Sequence, residues 1–230
     1  GLYHPATSLI ISFFGDLHDS EVEGYSYDPD KANELLDEAG YKDVDGDGIR
    51  EGKDGKEFKI TFAARKRTEA NEALVQQYIA WWKEVGLNVE LYTGRTLEIN
   101  TFYDAVQAND PSIDMYAGGW STGYDPNPNG LWGETAPFNM SRFVDEKNTE
   151  LLDAIGSVAS FDEKTNLKNY KAWQEYAFEQ AFAIPTFESE AITALNKRVK
   201  NFDTNYGSES ENGIALENIE LTADKGVAAE

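Results

Sequence analysis

The chain has 230 residues, enough for one large domain or two small ones, and its 20 basic and 42 acidic residues make a formal charge of −22 at pH 7. So acidic a surface repels phosphate backbones and anionic lipid headgroups, which argues against nucleic-acid and membrane-surface binding. Cysteine is absent and histidine occurs only as His4 and His18, which excludes thiol nucleophiles and cysteine–zinc sites and disfavours histidine-based catalysis.

The start of the chain, GLYHPATSLI, has neither an initiator Met nor the basic beginning of a signal peptide. We therefore expect a piece of a longer protein, in which residues 1–27 form an apolar, loop-like entry segment. No run of residues approaches the roughly 18 apolar ones that span a bilayer, so direct membrane insertion is not expected. A hydrophobic fraction of 40% nevertheless indicates a folded body.

The sequence YDPDKANELLDEAGY predicts a helix with clear signals at both ends. Asp28 is an N-cap residue, Pro29 suits the first helical position, and Gly40 favours the left-handed conformation that ends a helix. The apolar residues between them fall on one face and are Ala32, Leu35, Leu36 and Ala39.

The loop after this helix places Asp43, Asp45 and Asp47 at every second position. Such carboxylates can converge on Ca²⁺, with Glu51 as a fourth candidate ligand. The pattern departs from an EF-hand, because a branched apolar residue comes one place early and Asp54 stands where glutamate is usual. Two interpretations stay open: a turn in which the carboxylates cap backbone amides, and the same turn holding a structural Ca²⁺. Catalysis by this loop is not expected.

Strands and helices then alternate along the chain. The predicted elements are a strand over 58–62, a helix over 68–85, a strand around 89–91, a helix over 96–107 and a strand over 113–117. This order indicates an α/β layer with at least partly parallel pairing. Two more helices are expected over 148–159 and 162–182, the second with Ser160 and Glu163 as a capping box, before three strand-like segments near the end.

A long irregular segment, GGWSTGYDPNPNGLWG, follows the third of these strands. In α/β proteins ligands bind beyond the carboxyl ends of the strands, and long ordered loops are commonly functional. The segment combines large flat aromatic rings with small residues that expose backbone groups. A packed surface loop with Trp120 and Trp132 anchored in the core is the competing interpretation.

Together, YDPDKANELLDEAGYKDVDGDGIRE, GGWSTGYDPNPNGLW, FNMSRF and KRVKNF stand in an order that resembles one family. It is the extracellular solute-binding proteins of ABC importers in the oligopeptide, dipeptide and nickel class (family 5), with the greatest likeness to oligopeptide-binding lipoproteins of Gram-positive bacteria. The resemblance implies an α/β, periplasmic-binding-protein-like lobe of the class II type, with a mixed sheet flanked by helices. It divides the chain into an entry segment from the other lobe or hinge (1–27), a ligand-binding lobe (28–205) and a return strand with a frayed tail (206–230).

The same resemblance implies a receptor that is not an enzyme and requires no cofactor. Two lobes would close on an oligopeptide, which is then delivered to the permease subunits of the importer. Because members of this class carry a lipidated N-terminus, we expect a monomer that is lipid-anchored at the extracellular face of the cell membrane.

In this family the strand-end tryptophan and the residues after it line the ligand cleft and bond the main chain of an extended peptide. The corresponding residues here are Trp120, Ser121, Thr122, Gly123, Tyr124 and Asp125, with Asn139 as a further candidate. One departure matters, since Gly123 stands where some members place an aspartate that pairs with the ligand's amine. Either Asp125 takes that role or longer peptides are bound without a fixed terminus. The acidic exterior would mildly favour cationic peptides.

Two other functions stay open. An oligosaccharide-binding protein of the same transporter class would use the same aromatic and acidic surfaces. A carboxylate-dependent glycoside hydrolase needs two carboxylates about 5–9.5 Å apart across a cleft, and no such pair stands out. The remaining tryptophans, Trp81, Trp82 and Trp173, are expected to pack in the core or on a lobe surface.

Overall fold

A computed structural model of the chain describes residues 3–121, 123–189, 192–202 and 216–226. The chain divides into two compact units. The terminal unit comprises the ranges 1–24, 122–127 and 153–230, and the central unit comprises the ranges 25–121 and 128–152. Among the described residues, no helix is both long enough and apolar enough to cross a membrane.

Helices and strands alternate between residues 29 and 117, after which helices and then strands follow in succession. The helices are α1 (Pro29–Ala39), α2 (Glu69–Glu84), α3 (Ile99–Gln107), α4 (Asn129–Trp132), α5 (Glu146–Ile155) and α6 (Glu163–Gln180). The strands are β1 (Tyr3–Pro5), β2 (Ile60–Ala64), β3 (Val89–Leu91), β4 (Met115–Ala117), β5 (Phe187–Ser189), β6 (Val199–Lys200) and β7 (Glu220–Leu221).

The central unit is built on a three-stranded parallel sheet in the order β3–β2–β4. In this sheet Phe62 of β2 lies beside Leu91 of β3 and Met115 of β4. Helices α2 and α3 connect the parallel strands, because such strands need a crossover rather than a hairpin. The predicted α/β class is confirmed. Antiparallel pairs, β1 with β5 and β6 with β7, form separate two-stranded sheets in the terminal unit.

Strand β2 is covered on both faces. Ala63 packs with Phe102 of α3, whereas its neighbours Phe62 and Ala64 pack in a second cluster with Val75 of α2. The alternation follows from the strand period of two, and it explains why the residues of β2 form an almost continuous apolar run. The polar residues that follow β2 lie at the carboxyl edge of the sheet, because β2 ends there.

Helix α1 begins and ends where its sequence predicts. The Asp28 carboxylate accepts a hydrogen bond from the backbone N–H of Lys31 at 2.9 Å, and Pro29 occupies the first turn. At the other end Gly40 adopts a φ of 91°, in the left-handed region that favours glycine. These local signals are confirmed because capping depends on neighbours within one turn.

The start of α6 differs from the prediction. The N-cap is Asp162, whose carboxylate accepts from the backbone N–H of Thr165 at 2.9 Å. The capping box of Ser160 and Glu163 is wrong, because residues 158–161 form a separate 3₁₀ turn. The Ser160 hydroxyl instead donates to the carbonyl of Ala154 at 2.8 Å.

The strands near the end of the chain are shorter than their apolar segments predict. Val199 pairs with Leu221 and Lys200 with Glu220, which gives a short antiparallel ribbon. The predicted return strand and tail over 206–230 lie partly outside the described residues. The division of the chain at residues 27 and 205 stays a prediction, and the two compact units have other boundaries.

Candidate functional site

The segment expected to contact a ligand begins directly after β4, at the carboxyl edge of the parallel sheet. Two glycines separate the strand from Trp120, whose ring packs edge-to-face against Phe138 with the centroids 5.6 Å apart. Trp120 remains 39% exposed and Phe138 47% exposed. The core-anchor interpretation therefore holds for Trp132, which is 9% exposed, and not for Trp120. The two open rings make an aromatic face at the sheet edge.

Asn139, the candidate ligand-binding residue outside the 120–125 segment, stabilises the loop that contains Phe138. It is 3% exposed, and its side-chain amide donates to the carbonyls of Gly133 at 3.1 Å and Phe143 at 2.9 Å. Its side-chain oxygen accepts from the Ser141 hydroxyl at 2.8 Å. A direct contact with ligand stays a prediction, whereas the hydrogen bonds give Asn139 a positioning role.

Arg142 is a supporting residue that the sequence reasoning missed. Its guanidinium donates to the carbonyls of Val106 at 3.3 Å and Gln107 at 3.0 Å, at the C-terminus of α3. A cation at that end satisfies carbonyls that have no partner within the helix. Arg142 adopts a φ of 56°, which is unusual for a residue other than glycine, so its hydrogen bonds to α3 are accompanied by local backbone strain. The signal in the sequence was a single basic residue within FNMSRF.

The residues directly after Trp120 are exposed where they are described. Ser121 belongs to the central unit, and Thr122 lies outside the described residues. Gly123 and Tyr124 belong to the terminal unit, where Tyr124 is 68% exposed. Gly123 has a φ of 56°, which an aspartate at this position would adopt only with strain. Their contacts with a ligand stay predictions.

Asp125 lies near α6 within the terminal unit. Its carboxylate accepts from the backbone N–H of Asn127 at 2.9 Å. Burial raises the pKa of the Tyr170 phenol to about 12, and the negative charge of Asp125 adds to that rise. Tyr170 is therefore a neutral hydroxyl at physiological pH, and Asp125 is oriented by its own turn.

The Asp-rich loop has the geometry of a turn. The two oxygens of Asp43 accept from the backbone N–H groups of Gly46 at 2.7 Å and Gly48 at 2.9 Å. The Asp45 carboxylate accepts from the backbone N–H of Asp47 at 3.1 Å, and the Asp47 carboxylate accepts from the backbone N–H of Ile49 at 2.7 Å. Carboxylate oxygens of the three aspartates also lie within 4.8 Å of one another and are exposed. This donor set fits a hard cation as well as a turn.

Glu51, the fourth candidate ligand, has a different environment. It is 7% exposed, and its carboxylate accepts from the backbone N–H of Val44 at 2.7 Å. Among the described residues, the converging group contains Asp43, Asp45 and Asp47. The ligand role of Glu51 stays a prediction.

We expect Ca²⁺ to raise the melting temperature by about 5 °C if the loop binds it, because a ligand of the native state stabilises that state. In the variant Asp45→Asn the amide oxygen can still accept from Asp47, so the turn is kept and the charge is lost. That variant should lose the calcium response. Asp104→Asn, which removes the same charge from an exposed position of α3 in the same unit, is the matched control. Identical melting curves in EDTA and in excess Ca²⁺ would leave the loop as a turn alone.

Arg50 connects the same loop to two helices of the central unit. Its guanidinium donates to the side chains of Asn33 and Asp37 on α1, at 2.8 and 2.5 Å, and to the carbonyls of Tyr41 and Val85, at 2.6 and 2.8 Å. The Arg50 guanidinium lowers the pKa of the Asp37 carboxyl, chiefly through this hydrogen bond. Sequence reasoning did not single out this residue, because its partners are spread along the chain.

Comparison with known proteins places these features in a family. Residues 1–142 match the family model of bacterial extracellular solute-binding proteins, family 5 Middle. The chain is 37% identical over 213 residues to the oligopeptide-binding protein OppA of Lactococcus lactis subsp. cremoris (strain SK11), which covers 90% of this chain and 35% of the relative. It is 26% identical over 166 residues to the oligopeptide-binding protein AppA of Bacillus subtilis (strain 168), which covers 71% of this chain and 30% of the relative. The chain thus spans about a third of the length of these relatives.

Solved structures share the fold. Lactococcal OppA, complexed with an endogenous peptide in the closed conformation, is 36% identical with a TM-score of 0.79 over 82% of this chain and 35% of that one. AppA of Bacillus subtilis, in complex with a nonapeptide, is 19% identical with a TM-score of 0.77 over 96% of this chain and 43% of that one, a likeness of fold alone. The family model matches more than half of this chain, and a relative is 37% identical over 90% of this chain. The chain therefore belongs to the bacterial extracellular solute-binding proteins of family 5.

Proposed function

We propose that this chain is the ligand-capturing part of an extracellular oligopeptide-binding receptor that delivers peptides to the permease of an ABC importer. The observation that carries the proposal is the open aromatic face of Trp120 and Phe138 at the carboxyl edge of the parallel sheet. Family membership supports it, as does the likeness to relatives that are themselves oligopeptide-binding proteins.

The aromatic face suits capture of many different peptides. Flat rings pack against side chains of varied shape, since most of their contribution is apolar area rather than directed hydrogen bonds. The neighbouring Gly118 and Gly119 carry no side chains that would keep a peptide main chain at a distance. Backbone pairing of that kind is the same for every peptide sequence, which explains affinity without narrow selectivity.

The chemistry of the described carboxylates favours binding over catalysis. Members of this family are solute-binding proteins, not enzymes. A glycosidase needs a general acid whose pKa is raised. Hydrogen bonds lower the pKa of several described carboxyls, which are Glu21, Asp37, Asp54, Asp110 and Asp162. We infer that the protein performs no covalent chemistry and that capture needs no cofactor.

The cellular setting completes the proposal. The complete receptor is a monomer, lipid-anchored at the extracellular face of the membrane, and it hands its peptide to permease subunits. Ligand binding shifts an equilibrium between open and closed arrangements of its lobes, because the closed form makes more contacts with the peptide. The strongly acidic exterior keeps such a receptor solvated.

Titration of the complete protein with a peptide pool and with a glycan pool tests this function. We expect the intrinsic tryptophan fluorescence to change with peptides, because Trp120 is partly exposed and loses water on binding. A matched glycan pool should leave the fluorescence unchanged. A response to glycans alone would replace the peptide by a saccharide as the ligand, and no response to either would overturn the proposal.

A further inference from the structure

A short 3₁₀ turn between α5 and α6 presents two large apolar side chains to solvent. Val158 is 81% exposed and Phe161 is 90% exposed, the largest exposed fractions among the large hydrophobic residues that the structure describes. Single exposed apolar residues are common on protein surfaces and need no explanation, whereas contiguous apolar patches mark interaction sites. We name this pair of residues the apolar knob.

The geometry of the turn places both side chains of the apolar knob on one face. A 3₁₀ helix has three residues per turn, so the side chains at positions i and i+3 lie one above the other. Val158 and Phe161 are the first and the last residue of the turn and have this spacing. They therefore form one continuous apolar surface.

Hydrogen bonds hold the turn in place between the two helices. The carbonyl of Ala154, near the end of α5, accepts from the hydroxyls of Ser157 and Ser160, each at 2.8 Å. The side-chain amide of Asn169 on α6 donates to the same carbonyl at 2.9 Å and to the Ser160 hydroxyl oxygen at 3.0 Å. Because the backbone is already ordered, a partner that covers the apolar knob loses little conformational entropy in doing so.

The apolar knob has an acidic rim. The hydroxyl and the backbone N–H of Thr165 donate to the Asp162 carboxylate, at 2.8 and 2.9 Å, and these hydrogen bonds lower the pKa of Asp162. Glu163, in the first turn of α6, and Asp153, just before Ala154, are exposed. Over residues 153–164 these three acidic residues are accompanied by one basic residue, Lys164. The rim is therefore negatively charged at neutral pH.

Peptide capture does not account for the apolar knob. The knob, its hydrogen-bonded support and its acidic rim all belong to the terminal unit, whereas the aromatic face of Trp120 and Phe138 belongs to the central unit. The knob is thus a second exposed apolar surface of the chain.

Resting on the proposed function, we propose that the apolar knob docks into an apolar pocket with basic residues at its rim on the extracellular surface of the permease. A small apolar centre within a polar rim is typical of interfaces that form and dissociate, and delivery of peptides requires such an interface. The acidic rim attracts a basic partner. It also repels a second copy of this chain, whose formal charge is −22.

Peptide uptake separates docking from peptide binding. The double variant Val158→Thr with Phe161→Gln of the complete receptor is added, with the peptide pool, to proteoliposomes that contain the permease and its ATPase subunits. We expect the receptor concentration for half-maximal uptake to rise roughly tenfold, because two apolar contacts are lost. The dissociation constants for peptides and the melting temperature should match those of the wild type, because both side chains are exposed.

Two further variants sharpen the test. Leu35→Gln with Val44→Thr is the matched control, because it makes the same kind of change at exposed apolar residues of the central unit, and it should support uptake as the wild type does. Glu163→Gln, which removes one charge from the acidic rim, should raise the half-maximal concentration about twofold. An unchanged value for Glu163→Gln would overturn the basic rim of the pocket.

The remaining outcomes distinguish this inference from the proposed function. Equal uptake with the double variant and with the wild type would overturn the inference alone. A melting temperature of the double variant below that of the control would also overturn it, because the rest of the receptor then covers the apolar knob. A wild-type receptor that binds no peptide would overturn the proposed function, and one that binds peptides without supporting uptake would overturn delivery and docking together.

Discussion

Replacing Arg50 with methionine is expected to lower the free energy of unfolding by about 3 kcal/mol, because the change leaves several acceptors without a donor. The Arg50 side chain is 12% exposed, and two of the partners of its guanidinium are the backbone carbonyls of Tyr41 and Val85. Val85 itself is 7% exposed, so water cannot readily replace the lost hydrogen bond. Methionine keeps much of the apolar stem, which confines the change to the donors.

The position of Arg50 explains why one residue carries so large an effect. It joins α1 to the end of α2, and its backbone N–H donates to the carbonyl of Gly86 at 2.7 Å. Gly86 has a φ of 81°, and a Cβ there would come within 2.9 Å of the Arg50 side chain. Glycine is therefore needed at 86 both for its backbone conformation and for the arginine stem.

Urea unfolding of the wild type and the Arg50→Met variant measures this loss. Lys59→Met is the control, because Lys59 forms an exposed pair with Glu90 at 2.9 Å and should contribute less than about 1 kcal/mol. Arg50→Lys should remain destabilised, since an ammonium cannot reach four acceptors in the plane of a guanidinium. A loss no greater than that of the control would show that these bonds are replaced by water.

Replacing Trp120 with alanine is expected to weaken peptide binding by the complete protein at least tenfold, equivalent to about 1.4 kcal/mol. The ring is 39% exposed and packs against Phe138. It therefore offers apolar area to a ligand, and little side-chain conformational entropy is lost on binding. Truncation removes that area and leaves Phe138 without its partner. The melting temperature should change little, because Trp120 is not a core residue.

Calorimetry with one peptide compares the Trp120→Ala variant with two others. Trp120→Phe keeps a flat ring and should retain most of the affinity. Phe161→Ala removes an aromatic ring that is 90% exposed in the terminal unit, and it should bind as the wild type does. If Trp120→Ala and Phe161→Ala bind equally well, the aromatic face does not contact the peptide.

The success of the sequence-based predictions depends on the distance over which each signal acts. Asp28, Pro29 and Gly40 mark α1 correctly because each acts within one turn of its own helix. The prediction for the start of α6 was wrong because Asp162, rather than Ser160, is the N-cap residue, and Ser160 lies in a 3₁₀ turn. The alternation of strands and helices indicated a parallel sheet, and with it the edge at which Trp120 emerges.

The sequence by itself determined the α/β class, the ends of α1 and the place of Trp120 after a strand. Periodicity, capping and the succession of strands and helices can all be read along the chain. Only the tertiary structure decided that Trp120 is open beside Phe138 and that the Asn139 side chain is buried in hydrogen bonds to its own loop. The contact between Trp120 and Phe138 joins segments on either side of α4, and the burial of Asn139 depends on the packing around its loop, so neither can be read from neighbouring residues alone.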